Sequence, residues 1–366
     1  MNRIRIAVVG VGHLGKEHAR ILSALPEAEL VGIADVNNHQ ARSIADRCKT
    51  TAYESHEDLL DIVDAVTIAA PTLYHHKVAR DFLERGIPVL VEKPITTTLA
   101  QAEELVEIAN SREIPFQVGH IERFNPAFEE LTRRPINPKL IESERHGPFT
   151  GRSTDIGCVL DLMIHDLDLI LSLVRSPVED VYALGAMAFG GHEDIVNARI
   201  RFENGCVACV TASRISPRPK RKLRIWASEG YAGIDFVDKR LTLVQPSDEV
   251  RRRGLSQMEL DPNRREQLRQ DVFSKHMETL ELDCTREMDQ LTAELKHFVN
   301  CVKTGRRPRV TGDDGRDALA LADRILASVQ RHPWDGVLDG PTGPKHMPAP
   351  LGKLFEDDSN EGREAA

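Results

Sequence analysis

The run IRIAVVGVGHLGKEHARIL, residues 4–22, limits the possible folds more than any other stretch of this chain. A strand-like apolar segment, Ile4–Val9, leads directly into G-x-G-x-x-G at Gly10, Gly12 and Gly15, and the last glycine opens a helical pattern. In that context the glycines have separate uses: Gly10 for a tight turn, Gly12 for close approach of a diphosphate, Gly15 for packing helix on strand. His13 and Leu14 lie in the same turn, beside a helix N-terminus whose N–H groups suit phosphate. Asp35 closes the next strand-like run, about 20 residues on, where an acid accepts a hydrogen bond from a ribose 2′-hydroxyl. A carboxylate repels a 2′-phosphate, and no arginine follows in ADVNNHQ before Arg42. The expected cofactor is NAD in preference to NADP.

Further strand signals at Glu29–Asp35, Ala65–Ala70, Val89–Val91 and Phe116–Gly119 alternate with amphipathic stretches. One stretch begins near Thr98 with Gln101 three residues later, as in a capping box, and another ends at Gly86. Short apolar strands alternating with helices predict a doubly wound parallel sheet covered on both faces. Ligands of such sheets bind at the carboxyl ends of the strands. Pro71 and Thr72 follow the third strand, and Glu92 and Lys93 break the apolar run IPVLVEKP at the end of the fourth. Both ends should face the same crevice as Gly10.

At 366 residues the chain is long enough for two domains. A net charge of −9 argues against a nucleic-acid partner. No apolar run approaches the roughly 20 residues of a membrane helix, and MNRIRIAVVG is unlike a signal peptide, so a cytoplasmic location is expected. Six scattered cysteines include one CxxC, Cys206 and Cys209, with no second pair to complete a zinc site. Reduced thiols and no metal are expected.

After residue 125 the pattern changes. A helix-like run, Val159–Val174, precedes a series of alternating strands with a hairpin signal at ENG, which predicts a mostly antiparallel sheet. Two helical patterns follow, around Leu291–Val302 and Ala318–Val329, and then a polar tail ending in EDDSNEGREAA, expected to be disordered. The expected division is 1–124 for the cofactor, 125–332 for substrate and oligomerisation, and 333–366 as a flexible tail. Within DIGCVLDLMIHDLDLILSL, a helix would place Asp161, His165 and Asp168 on one face. The alternative leaves Asp166 and Asp168 in water and His165 as a core residue.

The motifs GVGHLG, Asp35, AAPTLYH (through His75), VEKP and the D-x-x-x-H of LDLMIHDLD together resemble the glucose–fructose oxidoreductase, inositol dehydrogenase and rhizopine catabolism family. The resemblance implies an N-terminal Rossmann domain and a C-terminal α/β domain with a large open sheet that mediates homodimer or homotetramer formation. It also implies that Lys93 and His165 flank the carbon that exchanges hydride, with Asp161 as a substrate or proton-relay contact. One glycine precedes Asp161 where the family commonly has two. The chemistry agrees: a neutral histidine accepts a hydroxyl proton, and an ammonium stabilises the developing alkoxide.

Two segments bear on the substrate. In GHIERFNPAFEEL, Asn125 is placed to cap a helix that starts at Pro126, leaving Glu122, Arg123 and Asn125 at the domain junction for a polar substrate, or Arg123 in a salt bridge. In SRISPRPKRKLRIW, Arg214, Arg218 and the cations at 220, 221, 222 and 224 form either a solvated turn or a diphosphate clamp. VGHIERFNPA with LDLMIHDLDLIL resembles the family branch that contains UDP-N-acetylglucosamine 3-dehydrogenases. That resemblance implies a UDP-sugar substrate and a pyridoxal-phosphate-dependent aminotransferase partner, as in some lipid A pathways. The alternatives are a dehydrogenase of a free sugar or inositol, and a non-catalytic NAD-binding regulator of the same fold.

Overall fold

The computed structural model describes residues 3–149, 151, 156–189, 191–253, 262–335 and 340–351. The elements of the first half are β1 (Ile4–Val9), α1 (Gly15–Ala24), β2 (Ala28–Ala34), α2 (Asn38–Cys48), β3 (Thr51–Tyr53), β4 (Ala65–Ile68), α3 (Thr72–Leu83), β5 (Val89–Glu92), α4 (Leu99–Ser111) and β6 (Phe116–Gly119). Their strands form one parallel sheet of order β3-β2-β1-β4-β5-β6, the doubly wound arrangement with its switch point between β1 and β4. Side chains alternate across it as strand geometry requires. Ala7 and Val9 pack toward Phe82 and Leu105, and Ile6 and Val8 toward Ala19 and Leu22. The short edge strand β3 has no counterpart among the sequence signals, and α3 ends before Gly86, which turns the chain at φ 77°. Thr98 caps α4 by accepting from the Gln101 amide, but the Gln101 side chain bonds Thr97 instead of returning to the cap.

The second half contains α5 (Pro126–Thr132), β7 (Pro138–His146), α6 (Ile164–Val174), β8 (Val178–Ala186), β9 (Ile195–Phe202), β10 (Val207–Ser213), β11 (Lys220–Ala227), β12 (Gly230–Asp235), β13 (Arg240–Pro246), α7 (Asp248–Arg253), α8 (Pro262–Asp271), β14 (Met277–Asp283), α9 (Gln290–Thr304) and α10 (Gly312–Arg331). The eight strands form a single sheet of order β14-β13-β12-β11-β7-β10-β9-β8, antiparallel except for the β7–β10 pair. Ile141, Val210, Ile200, Leu223 and Ile225 on one face pack with Leu167, Ile170 and Ile325 from α6 and α10. The opposite face is open and polar. ENG is the β9–β10 hairpin, with Gly205 at φ 81°.

The last two helices return to the first sheet. Leu295, Phe298 and Val299 of α9 share a core with Ile6 and Val8, and Leu319 of α10 packs with Val106 and Val118. Beyond α10, Trp334 Nε1 donates to the Gly343 carbonyl at 2.8 Å. EDDSNEGREAA lies outside the described residues.

Candidate active site

The carboxyl ends of the parallel strands converge on one crevice. Gly10 has φ 83°, and a Cβ there would stand 2.6 Å from the Ala70 nitrogen; one on Gly15 would stand 1.8 Å from the Gly10 carbonyl. Neither position accepts a side chain. Gly12, by contrast, faces open space, and no side chain caps the N-terminus of α1, so an anion can approach this helix end. Asp35 Oδ2 accepts from the Val11 amide at 2.7 Å and Oδ1 from the Asn37 amide at 2.8 Å, fixing the acid beside the glycine turn. His13, Leu14 and Pro71 are exposed along this edge. An open glycine, an uncapped helix and a held carboxylate fit NAD. His75 does something else: its two ring nitrogens meet the carbonyls of Pro94 at 2.9 Å and Ala70 at 2.8 Å. It staples the β4 loop to the β5 loop, while Thr72 begins α3.

Glu92 is buried at the end of β5. Its Oε1 meets His18 Nε2 at 3.1 Å, and its Oε2 accepts from the Lys93 amide at 3.3 Å. Burial opposes ionisation, but His18 and the Lys93 charge hold this carboxyl below its usual range. The expected orienting role of Glu92 is thus exerted on the Lys93 backbone. The Lys93 ammonium donates to the Asp161 carbonyl at 2.7 Å and reaches Asp161 Oδ1 at 3.3 Å. Strand end and helix start therefore meet across the crevice.

The helix-like run at 159–174 is two elements. Val159–Met163 forms a π-helical turn before α6 begins at Ile164, and such turns concentrate at functional sites. Asp161 lies in that turn, and His165 is one residue inside α6. His165 Nδ1 is sealed from solvent without a partner, which leaves Nε2 for the crevice. Burial, then the Lys93, Arg145 and other nearby charges, hold the imidazole well below its usual pKa. A neutral base and an ammonium side by side suit proton removal from a hydroxyl with stabilisation of its oxygen.

Residues 4–120 match the family described as "Oxidoreductase family, NAD-binding Rossmann fold", and residues 132–232 match the GFO/IDH/MocA C-terminal domain. The chain is 34% identical to a UDP-N-acetylglucosamine 3-dehydrogenase of Acidithiobacillus ferrooxidans, over 90% of this chain and 98% of that protein. It belongs to the GFO/IDH/MocA family. The crystal structure of the Acidithiobacillus protein superimposes with a TM-score of 0.78 over the same shares of the two chains. A myo-inositol 2-dehydrogenase of Thermotoga maritima is 26% identical over 89% of this chain and 96% of its own. A scyllo-inositol dehydrogenase of Lactobacillus casei, solved with NAD(H) and scyllo-inositol, shares the fold at TM-score 0.70 and 20% identity, over 89% of this chain and 97% of its own. The chain is accordingly an NAD-binding oxidoreductase.

Several residues expected to contact substrate in this family member are committed elsewhere. Arg123 forms a two-pronged pair with Asp168, at 2.7 and 2.9 Å, and also reaches Asp314. Asn125 caps α5 through the Ala127 amide and faces Glu122 and the Phe236 carbonyl. Glu122 accepts from buried Arg145 at 2.9 Å, and Arg145 clasps Asp166 at 2.8 and 3.1 Å. Water-facing aspartates do not describe α6: Asp166 and Asp168 are both buried and paired with arginine. Arg214 is likewise internal, bonded to Asp194 and the Ile156 carbonyl. Arg218 is exposed in the turn between β10 and β11.

The remaining basic residues form a strand instead of a solvated turn. Along β11, Arg224 and Lys222 stand opposite Glu142 and Glu144 of β7, on the open face. Lys220 bonds Glu144 at 2.7 Å, and Arg224 lies 3.4 Å from the same carboxylate. Arg221 points to the other side with Leu223, since strand side chains alternate. Its side chain is 51% exposed, with the guanidinium 4.0 Å from Glu122, and its charge is among those acting on His165. Sequence reading of the motifs missed His18, His120 and Arg145. His120, directly after β6, sits at a strand end like Lys93, and that position was the available signal.

Proposed function

We propose that this chain is a UDP-N-acetylglucosamine 3-dehydrogenase, oxidising the 3-hydroxyl of the sugar to a ketone. Bound NAD supplies the hydride acceptor. Neutral His165 receives the hydroxyl proton through Nε2, and Lys93 stabilises negative charge on the substrate oxygen. Asp161 holds the ammonium at the π-helical turn and is itself within reach of a sugar hydroxyl. The observation that carries the substrate class is Arg221, a half-exposed cation at the mouth of the site. A diphosphate uses such a group, and an uncharged inositol does not. The 34% identity to the Acidithiobacillus enzyme supports the same choice.

The test is incubation with NAD and UDP-N-acetylglucosamine, reading the absorbance of reduced nicotinamide and the mass of the product. Turnover of myo-inositol with none of the UDP-sugar overturns the assignment. With the nucleotide sugar, Arg221→Ala raises KM by about tenfold, the scale of one charge-assisted hydrogen bond, and leaves kcat little changed. The acid limb of kcat/KM also lies below the usual histidine pKa of 6.5. Its sign follows from the base being active when neutral: a lowered pKa preserves activity to lower pH, and protonation abolishes it. A limb above that value contradicts the role of His165.

In this reading the 3-keto product passes to a pyridoxal-phosphate-dependent aminotransferase, as in lipid A synthesis, in the cytoplasm. The open face of the second sheet, which exposes Tyr182 and Trp226 among its charges, is the surface we assign to a homodimer or homotetramer. Among the described residues no helix is long and apolar enough to cross a membrane.

A further inference from the structure

His120 has no place in the mechanism above, yet its position is unusual for a buried imidazole. It is 1% exposed, and neither ring nitrogen meets a protein hydrogen-bond partner. Buried polar side chains are nearly always hydrogen-bonded. The ring stands edge-on to His165, centroids 6.3 Å apart and planes at 89°. The inward nitrogen of His165, Nδ1, is also buried without a partner. Two adjacent imidazoles thus have three buried, unpaired nitrogens between them.

We propose that His120 and His165 form a paired proton acceptor, joined through one bridging water, in which His120 shares the proton that His165 takes from the substrate. This rests on the dehydrogenase reading of the site. In the step, the O–H bond of the substrate breaks, its electron pair stays on oxygen, and the proton joins His165 Nε2. The imidazolium then donates its Nδ1–H through the water to a lone pair of His120. A single water can span such a gap at little cost. His120 acts through His165 and is a positioning residue.

The surroundings keep both rings neutral before the reaction. The charges of Lys93, Arg145 and Arg221 all act against a positive charge on His165. Around His120, Lys93 and Arg123 oppose a positive charge, whereas Asp168 and Asp314 favour it. Burial in a site with this many cations makes an isolated imidazolium costly, and spreading the proton over two rings reduces that cost.

The test is nitrogen NMR of labelled histidines in the full-length protein loaded with NAD. In the wild type, the ring signals of His120 and His165 move together with one common midpoint. Independent titration of the two rings overturns the proposal. In His120→Phe, which keeps a ring but no acceptor, the His165 midpoint falls by about one pH unit, the scale of one lost hydrogen bond. An unchanged midpoint also overturns it. His120→Gln keeps an acceptor but no second basic site, so the His165 midpoint falls less than in His120→Phe, which separates loss of the acceptor from altered packing. The titrations need no substrate, so they fail or succeed independently of turnover with UDP-N-acetylglucosamine.

Discussion

Replacing Lys93 by methionine lowers kcat for the proposed UDP-sugar oxidation by about 10²–10³-fold, with the fall in kcat exceeding any change in NAD Kd. The size is that of losing one preorganised donor to a developing oxyanion. Methionine keeps most of the apolar stem and removes only the charge and its donors, so β5 and its loop keep their packing. Two features hold the ammonium in advance: the Asp161 carbonyl at 2.7 Å, and the rigid end of a buried strand. Steady-state kinetics with calorimetric NAD binding measures both quantities. Full turnover in the variant removes Lys93 from the catalytic step.

Arg145→Leu destabilises the protein by about 3–5 kcal/mol, measured by urea unfolding, because it strands buried carboxylates without their cation. Arg145 is 3% exposed and serves two acids, Glu122 and Asp166. Burial works against its charge, but those acids hold the guanidinium firmly protonated. Arg145→Leu combined with Asp166→Leu recovers part of the loss, since an apolar pair of similar volume replaces the ions. A single variant as stable as the wild type rules out the ionic cluster as a structural support. Asp166 follows His165 directly, so the clasp also fixes how α6 presents the base to the crevice.

The first sheet was legible because its signals are local. The glycine turn needs positive φ and close approach at fixed positions, and the buried parallel strands are short apolar runs. Lys93 followed from topology, as the residue at a strand end. The second half was less transparent. KLIESERH, the core of β7, was absent from the strand signals although it lies in the middle of the eight-stranded sheet. Its polarity is real on both faces: Glu142 and Glu144 meet the β11 cations, and Arg145 enters the ionic cluster beneath. Hydrophobic periodicity cannot register a strand whose inward residue is an arginine. The same cause explains Arg123, Arg214, Asp166 and Asp168. Each resembles a surface or ligand-binding charge until its partner, distant in sequence, is known. His120 escaped for a different reason: its one signal was its place directly after β6, with no motif around it to single it out.

The seating of α9 against β1 bears on how the molecule is made. Translation delivers β1 well before Phe298 and its neighbours, which emerge only after the strands of both sheets have been made. Until then the strip around Ile6 and Val8 lacks part of its cover, and such surfaces aggregate when left open. The cofactor half is therefore early in order of appearance and late in order of completion.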